Sequence, residues 1–382
     1  MTDLLLAVLL LAALAGAQWL VRDLRTVPPS AREDHRSSSV SVVVPARDEE
    51  TSLPALLEAL RAVSVREVLV VDDGSRDATS SIARAGGATV LTAGSPPSGW
   101  TGKAWSCHLG AQSASGELLL FLDADTVLAP QALDGLLDLR DQHGGLVSVQ
   151  PFHTVERAYE QLSAYFNAVS VLASGAFERR PPRRPMAFGP CLLSTRSDYE
   201  FAGGHAAVQG EILDDVSLAA AYARASLPVR CVIGGSSIRM RSYPGGPRQL
   251  VDGWTKNIAS GASAAAPAPT VASVLWLCAH HAVALAAVLL LGEAVTGQGT
   301  SLVWGHPSLW AGAWVLVAAQ LRWFLSRIGS FRWWTWLIFP LPLLAFDVVF
   351  ARSTVRTLVR RSVRWRGREV RVDGSGSVRG EA

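Results

Sequence analysis

Two aspartates one residue apart, Asp123 and Asp125, follow directly after an apolar run, Leu118–Leu122. Such a run is typical of a strand buried on both faces, and open α/β sheets bind ligands beyond the carboxyl ends of their strands. In an extended chain, residues i and i+2 point to the same side, so both carboxylates can converge on one hard cation. Taken alone, the segment predicts either this cation site or an ordinary polar turn.

Two further acidic pairs continue this pattern. Asp72-Asp73 follows a predicted strand, and Asp214-Asp215 lies beside a predicted helix. The carboxyl ends of parallel strands share one edge of a sheet, so we expect the first of these pairs to lie near the aspartates described above. Carboxylates that meet at one edge repel each other unless a cation lies among them. A divalent metal ion with a phosphate-bearing ligand would relieve that repulsion.

Lys103 stands at the end of the segment Gly99-Trp100-Thr101-Gly102-Lys103, immediately before a predicted helix. A lysine beside glycine-rich backbone near a helix N-terminus is a candidate contact for a phosphate, and a solvated loop lysine is the alternative. The GxxxxGK[ST] spacing of a P-loop is absent, which argues against a nucleoside triphosphatase.

Strand and helix patterns alternate through the central part of the chain and place these groups on loops. Strands are predicted at 40–44, 65–71, 88–92, 118–122 and 146–150. Helices are predicted at 52–63, 77–85, 104–115, 131–142, 159–177 and 211–225. This alternation with short loops predicts an α/β fold with a doubly wound, mostly parallel sheet.

Apolar residues are concentrated at the two ends of the chain. Hydrophobic residues make up 49% of the sequence and the mean hydropathy is +0.25, which are high values for a soluble enzyme. Residues 4–21 form an uncharged segment long enough to cross a bilayer, and the arginines after it predict that its C-terminal end faces the cytoplasm. A cleaved signal peptide is the alternative. We favour a retained anchor, because Asp3 but no Lys or Arg precedes the segment.

The C-terminal part of the chain carries three more apolar segments, 271–291, 310–324 and 333–350, followed by a basic tail. Three full crossings would place this tail on the opposite side of the membrane from a cytoplasmic central domain, against the positive-inside rule. We therefore expect 333–350, interrupted by Pro340 and Pro342, to be re-entrant or interfacial. The tail is then expected to lie on the inner membrane surface as a basic amphipathic helix. Three plain crossings remain the alternative.

These features divide the chain into an N-terminal transmembrane anchor at 1–25, a linker at 26–39, a central domain at 40–262, transmembrane or re-entrant segments at 263–351, and a basic tail at 352–382. The net charge of only +3 gives no sign of nucleic-acid binding. The four cysteines form no CxxC pair and predict no disulfide framework.

Four motifs in the central domain resemble those of family-2 glycosyltransferases with the GT-A fold. The segment Val42–Glu50 is similar to the opening strand and loop of that family, and Val71–Thr79 is similar to its second motif. The Gly-Trp-Thr-Gly-Lys element and Asp123-Ala124-Asp125 follow in the family's order. The anchor, the C-terminal spans and the tail motif Trp365–Arg368 resemble the membrane-anchored branch that includes carotenoid, hopanoid and ceramide glycosyltransferases.

The resemblance implies a role for each group of residues. The residues implied to bind the nucleotide sugar are Pro45, Ala46, Arg47, Glu49, Asp72, Asp73, Lys103 and Asp123. Asp123 and Asp125 would form the DxD motif, which binds the donor diphosphate through Mg²⁺ or Mn²⁺. Asp215 is the implied general base; its neighbour Asp214 stands where the family has glutamate, and Glu211 is an alternative base.

Processive members of the family carry a QxxRW motif after the base, and this chain departs from it. Gln249 and Trp254 are present, but their spacing differs and no arginine precedes the tryptophan. The departure favours transfer of a single sugar. Arg239, Arg241 and Trp254 are weak candidates for contacts with the diphosphate or the acceptor, and a basic membrane-facing loop is the alternative.

The resemblance and the membrane segments together predict a metal-dependent, inverting glycosyltransferase of the inner membrane with a cytoplasmic catalytic domain. It would move one sugar from a nucleotide sugar, with a UDP-sugar as the expected donor, to a hydroxyl or carboxyl of a membrane lipid such as a carotenoid or hopanoid. A polyprenyl-phosphate or polysaccharide-type glycosyltransferase is one alternative. A nucleotidyl- or phosphotransferase on the same α/β plan is another.

Overall fold

The computed structural model describes residues 2–28, 35–178, 185–211, 213–264, 266–297, 303–355, 362–365 and 368–371. The strands are, in chain order, β1 (Val40–Ala46), β2 (Glu67–Asp72), β3 (Thr89–Thr92), β4 (Leu118–Leu122), β5 (Thr126–Leu128), β6 (Leu146–Gln150), β7 (Phe152–His153), β8 (Cys191–Thr195), β9 (Val229–Ile233), β10 (Ile238–Met240), β11 (Ser362–Trp365) and β12 (Arg368–Arg371). The helices are α1 (Thr2–Leu20), α2 (Leu53–Arg61), α3 (Thr79–Ala85), α4 (Gly102–Ser113), α5 (Ala132–His143), α6 (Ala164–Ser174), α7 (Arg196–Phe201), α8 (Asp214–Arg224), α9 (Pro247–Ala264), α10 (Pro267–Thr296), α11 (Pro307–Ile328), α12 (Trp333–Leu337) and α13 (Pro340–Val355).

Seven of these strands form the central sheet in the order β3-β2-β1-β4-β8-β6-β9. Neighbouring strands are parallel except where β8 pairs with β4 and β6, so the predicted mostly parallel sheet is confirmed. The sequence does not predict β8. Its insertion between β4 and β6 depends on pairing with distant strands, which no local pattern specifies.

Strands β1 and β4 are buried on both faces, as their apolar runs predict. Val42, Val44 and Leu120 pack in one core with α2, α3 and α5, whereas Val43 and Phe121 pack in another core with α4 and α8. Alternate residues of each strand therefore face opposite helix layers. This is the doubly wound arrangement that the strand–helix alternation predicts.

A second, three-stranded sheet has the order β5-β10-β7. In it, Met240 of β10 pairs with Thr126 of β5 on one side and with His153 of β7 on the other. The sequence predicts a basic, turn-rich patch at 239–247, and this prediction is wrong for Arg239 and Met240, which belong to β10. Helix α9 also escapes prediction, although its core-facing residues Leu250, Trp254 and Ile258 recur every fourth position.

Three of the described helices, α1, α10 and α11, are long and apolar enough to cross a membrane. They form one bundle in which Gln320 of α11 donates a hydrogen bond to the carbonyl oxygen of Leu14 (2.8 Å) and accepts one from Trp276 Nε1 (2.9 Å). Helix α11 begins beside the start of α1, where His306 N donates to Asp3 Oδ1 at 3.2 Å. One N-terminal and two C-terminal candidate membrane helices therefore agree with the prediction.

The apolar segment 333–350 forms two helices, α12 and α13, in place of one span. Thr335 in α12 and Ser353 in α13 each donate a side-chain hydrogen bond to the central domain, at 2.6 and 2.7 Å. Between the two helices, the ring of Phe339 packs against Trp314 of α11 with centroids 4.6 Å apart. Both helices of the α12–α13 hairpin thus contact the central domain, whereas the residue between them packs against α11.

The sequence predicts an amphipathic helix for the basic tail, and this prediction is wrong for the part of the tail that the structure describes beyond Val355. There β11 and β12 pair as an antiparallel hairpin, with Val363 opposite Val370. The short alternation of apolar and polar residues in both segments is a strand pattern. Several predicted features lie outside the described residues: 29–34 of the linker, 356–361 and 372–382 of the tail, and 366–367 of its motif.

Candidate active site

The carboxyl ends of β1, β2 and β4 lie side by side and bring the predicted binding segments to one edge of the sheet. Ala46 at the end of β1 is in register with Asp72 at the end of β2, and Asp73 N donates to the carbonyl oxygen of Ala46 at 2.9 Å. Strand β4 pairs with the other side of β1 and leads into Asp123. The parallel strand order therefore makes the first two acidic clusters neighbours.

The loops after β1 and β2 are held together by bonds between main chain and side chains. Asp48, whose φ is +52°, accepts a hydrogen bond from Arg76 N at 2.8 Å. Glu49 N donates to the Thr79 hydroxyl at 2.8 Å. These bonds fix the first two motifs relative to each other before any ligand binds.

The two aspartates of the second motif have different surroundings. Asp72 Oδ1 accepts a hydrogen bond from Ser75 N at 2.8 Å, so this carboxylate caps its own turn. Asp73 Oδ2 pairs with Arg47 Nη1 at 3.2 Å. A Cβ atom on Gly102 would lie 2.3 Å from the same Asp73 oxygen, so a larger residue where α4 begins would displace the Asp73 carboxylate. Asp72 shapes the loop, whereas Asp73 and Arg47 face the start of α4.

Lys103 lies in the first turn of α4, and its ammonium group contacts the DxD motif. The side chain of Thr101 caps this helix, and Lys103 Nζ lies 2.7 Å from Asp123 Oδ1. Burial opposes the charge of Lys103, but the carboxylates of Asp123 and Asp214 raise its pKa well above the ordinary value. The lysine therefore stays charged among these acids.

Asp125 has the properties of a cation ligand. Its Oδ1 atom is buried and has no hydrogen-bond partner within the described part of the chain. Burial, followed by the charges of Asp123 and Glu49, raises the pKa of Asp125 to about 7. A cation between Asp123 and Asp125 would remove this repulsion and give the buried oxygen a ligand bond. The residues therefore fit a divalent ion.

Two aspartates do not complete such a site. Among the residues that the structure describes, no group of three His, Cys, Asp or Glu side chains could hold a metal ion by itself. An ion at Asp123 and Asp125 would need further oxygen ligands, and the phosphates of a bound nucleotide are the usual source for Mg²⁺.

Asp215 is fixed by main-chain groups in the first turn of α8. Its Oδ2 atom accepts from Gly189 N at 2.8 Å and its Oδ1 atom accepts from Val216 N at 2.9 Å. Burial, followed by the charge of Asp214, raises the pKa of Asp215 to about 6, although Lys103 and these hydrogen bonds act in the opposite direction. A carboxylate with this pKa can accept a proton near neutral pH.

One small cavity joins the two halves of the site. The predicted site residues that line it are Pro45, Lys103, Asp123, Asp214 and Asp215. The DxD motif and the implied base therefore meet, although they are far apart in the sequence. Glu211, the alternative base, is not among the described residues that line the cavity.

Three weaker candidates lie in other surroundings. Arg241 pairs with Glu156 and with the buried Glu160, both at 2.7 Å. Trp254 is only 6% exposed and stacks on Phe166 with ring centroids 4.9 Å apart. Arg239 is exposed on β10. Trp254 is thus packed in the protein interior, and the partly buried Arg241 is engaged in ion pairs. A role in ligand binding stays a prediction for all three.

The sequence reasoning missed His205, which also lines the cavity. Its Nδ1 atom lies 2.8 Å from the Tyr199 hydroxyl, and burial lowers its pKa to about 4, so it is neutral. The Gly203-Gly204 pair just before it is a turn signal, but no pattern connects it to the site. Gly189, whose main chain holds Asp215, carries no side-chain signal at all.

The comparisons with known proteins agree with this geometry. A family model described as Glycosyl transferase family 2 matches residues 41–198. The chain is 32% identical over 338 residues to 4,4'-diaponeurosporenoate glycosyltransferase of Staphylococcus aureus (strain MRSA252), covering 87% of this chain and 88% of the relative. It is 38% identical over 254 residues to the protein of the same name from Staphylococcus haemolyticus (strain JCSC1435), covering 64% of this chain and 68% of the relative.

Among solved structures, the chain resembles mannosyltransferase PcManGT from Pyrobaculum calidifontis in complex with GDP-Man and Mn²⁺. The TM-score is 0.51 at 20% identity, and the match covers 94% of this chain and 100% of the other. This likeness shows the fold but carries no ligand over to this chain.

The fold and the acidic sheet edge define a glycosyltransferase of the GT-A type. The chain belongs to glycosyltransferase family 2 and is similar to carotenoid glycosyltransferases. The predicted family, fold class and enzyme class are therefore confirmed.

Proposed function

We propose that this enzyme transfers one sugar from a nucleotide-sugar donor to a carotenoid-type lipid. The observation that carries the proposal is the single cavity in which Asp123, Lys103 and Asp215 meet, in a domain that packs against membrane helices. The acceptor class is supported by the name of the relatives, 4,4'-diaponeurosporenoate glycosyltransferase.

The donor would lie across the carboxyl edge of the sheet. Its base and ribose would contact the first two motifs, and its diphosphate would approach the DxD motif and Lys103. The residues proposed for this role are Pro45, Ala46, Arg47, Glu49, Asp72, Asp73, Lys103 and Asp123. A UDP-sugar is the expected donor.

The DxD aspartates, Asp123 and Asp125, would hold Mg²⁺ or Mn²⁺. The ion would offset the charge that develops on the leaving nucleoside diphosphate. Lys103, already 2.7 Å from Asp123, would add a second positive charge on the same side.

Asp215 would act as the general base. Its two main-chain hydrogen bonds fix the carboxylate, and burial with Asp214 raises its pKa to about 6. The base would take the proton of an acceptor hydroxyl, or of a lipid carboxyl that an apolar environment keeps neutral. The acceptor oxygen would then attack the anomeric carbon directly, which inverts the sugar linkage.

We propose a position in the membrane in which the α12–α13 hairpin is re-entrant. With α1, α10 and α11 as the crossings, the catalytic domain and both ends of the α12–α13 hairpin lie on one side. The arginines after α1 and in the tail assign that side to the cytoplasm by the positive-inside rule. The enzyme would thus be a multi-pass protein of the inner membrane that meets its acceptor at the cytoplasmic surface.

The test uses the full-length enzyme in lipid bilayers with UDP- and GDP-sugars, a carotenoid acceptor, and either Mn²⁺ or EDTA. We expect metal-dependent formation of a glycosylated carotenoid together with nucleoside diphosphate. A polyprenyl phosphate in a parallel reaction tests the alternative acceptor class. Failure to release nucleoside diphosphate from any donor would contradict the proposal, and an unglycosylated carotenoid that accumulates in a deletion strain would identify the acceptor.

A further inference from the structure

An open groove of about 520 Å³ lies between α11 and α12 on the outside of the helix bundle. Its lining includes the small side chains of Ala318 and Ala319 and the indole rings of Trp314, Trp323 and Trp336. Its volume falls in the range that small-molecule ligands occupy in proteins. Nothing in the proposed reaction uses this groove.

The groove follows the axis of α11. Its residues form two rows at i, i+4 spacing, Trp314-Ala318-Arg322-Ser326 and Val315-Ala319-Trp323-Arg327. At 1.5 Å per residue these rows extend about 20 Å, which is somewhat more than half of a hydrocarbon core about 30 Å thick. The groove is therefore long enough for the chain of a lipid in one leaflet.

The two ends of the groove lie at different depths in the bundle. Trp314, at one end, packs against Phe339 where the α12–α13 hairpin turns inside the bundle. Arg327, at the other end, is followed by Ser330, whose main-chain N donates to His153 of the catalytic domain at 2.9 Å. The arginine end therefore lies on the catalytic-domain side of the membrane.

Two exposed arginines at this end lack carboxylate partners. Arg322 lies over the ring of Trp336 at 5.6 Å, and Arg327 lies over the ring of Trp323 at 3.9 Å. Within the described part of the chain, neither guanidinium forms an ion pair with Asp or Glu. Arginine inside or beside a bilayer is costly unless it meets an anion or reaches the interface. Arg327 Nη1 donates to the main-chain oxygen of Trp323 at 2.8 Å, which leaves the charge of the guanidinium without a carboxylate partner. An apolar groove that ends at two such arginines matches an acyl chain with an anionic headgroup.

We propose that the α11–α12 groove binds one anionic phospholipid. Its acyl chain would lie along Ala318 and Ala319 between the tryptophans, and its phosphate would contact Arg322 and Arg327. The bound lipid would hold the re-entrant hairpin against α11.

The groove and the catalytic cavity share no lining residue within the described part of the chain. Three strand pairings connect the arginine end of the groove to the residue after the DxD motif: Gly329 with His153, His153 with Met240, and Met240 with Thr126. We therefore assign the groove to a phospholipid that is distinct from the acceptor.

The test measures lipid binding and needs no glycosyl transfer, so its outcome is independent of the proposed function. Full-length protein is placed in bilayers that contain phosphatidylglycerol and phosphatidylcholine, extracted into detergent, and analysed for bound lipid by native mass spectrometry. We expect about one retained phosphatidylglycerol per chain. An Arg322→Gln/Arg327→Gln variant should bind it roughly 30-fold more weakly, from about 1 kcal/mol for each basic residue.

Two further variants control this result. Arg22→Gln removes another exposed arginine, which follows α1, lies over the ring of Trp19 at 3.6 Å and is outside the groove. This variant should retain the lipid. Arg322→Lys/Arg327→Lys keeps the charge and should restore most of the binding. Equal retention by the Gln variant, or equal retention of phosphatidylcholine by the unaltered protein, would overturn the proposal. Recovery of a carotenoid in place of the phospholipid would overturn it too.

Discussion

Asp215 is held by two main-chain N–H groups, from Gly189 and Val216, in a cavity that it shares with Asp214 and Lys103. The two hydrogen bonds fix the direction in which the carboxylate points, while burial and the neighbouring acid raise its pKa to about 6. The main-chain N–H groups therefore set the orientation of the Asp215 carboxylate, whereas burial and Asp214 raise its proton affinity. Both are needed for a base that takes a proton from a bound acceptor.

The raised pKa of Asp215 predicts the pH dependence of transfer. The base works only when deprotonated, so kcat should be level above pH of about 6 and fall about tenfold per pH unit below it. The profile is measured at saturating donor and Mn²⁺, because Asp125 also has a raised pKa, of about 7. A rate that stays level down to pH of about 4.5 would contradict the assignment.

At the residue scale, the sequence indicates candidate acids but not their partners. The spacing after an apolar run indicates Asp123 and Asp125, and the resemblance to family-2 glycosyltransferases indicates Asp215. Asp72 caps its own turn, and Arg241 pairs with Glu160. Both interactions depend on side-chain directions that only the folded chain defines.

The surroundings of Trp254 on α9 likewise depend on the folded chain and cannot be inferred from residue spacing. It lies on α9, packs between Phe166 and Tyr243, and donates from Nε1 to the Ser163 hydroxyl at 3.2 Å. This tryptophan packs in the core, whereas the resemblance to the family suggests that it contacts a ligand. The structural position favours a role in stability.

Trp254→Ala should therefore lower the free energy of unfolding by about 3–5 kcal/mol, because it leaves a large cavity in the core. Trp304→Ala, at a side chain that is 70% exposed, is the matched control and should change stability by less than about 0.5 kcal/mol. Unfolding is followed by intrinsic fluorescence in detergent. Lost transfer at unchanged stability would show that Trp254 acts on a ligand.

Elements with a strong local pattern are predictable, and elements defined by distant pairing are not. Strands β1, β2 and β4 and helices α2, α4 and α5 follow from apolar runs and spacing. Strands β8 and β10 are short, and each forms by joining strands from elsewhere in the chain. The tail hairpin, β11–β12, likewise depends on pairing and not on helical spacing.

On the scale of the whole molecule, the sequence leaves one conflict open. If all three C-terminal apolar segments crossed the membrane, the basic tail would lie on the opposite side from the catalytic domain. The proposed re-entrant course of the α12–α13 hairpin would resolve it, because both of its ends hydrogen-bond to the catalytic domain. Composition locates apolar segments, but it does not show which of them turns back. That depends on packing around Phe339.

This arrangement predicts on which side of the membrane each part of the chain lies. In a chain whose exposed cysteine, Cys278, is replaced by serine, Trp304→Cys should react with a membrane-impermeant maleimide in intact spheroplasts. Arg66→Cys in the catalytic domain and a C-terminal epitope tag should become accessible only after permeabilisation. A tag that is accessible in intact spheroplasts would mean that 333–350 crosses the membrane.

The most direct test of the account is the comparison of Asp215→Asn with Glu211→Gln in sugar transfer to the lipid acceptor. The first variant should lose roughly 10²- to 10⁴-fold in kcat, the usual contribution of a general base, while it still binds the nucleotide sugar with near-normal affinity. The second should keep near-normal activity, because Glu211 is not among the described residues that line the cavity. If Asp215→Asn transfers sugar normally and Glu211→Gln does not, the assignment of the base, and with it the cavity as the place of reaction, is contradicted.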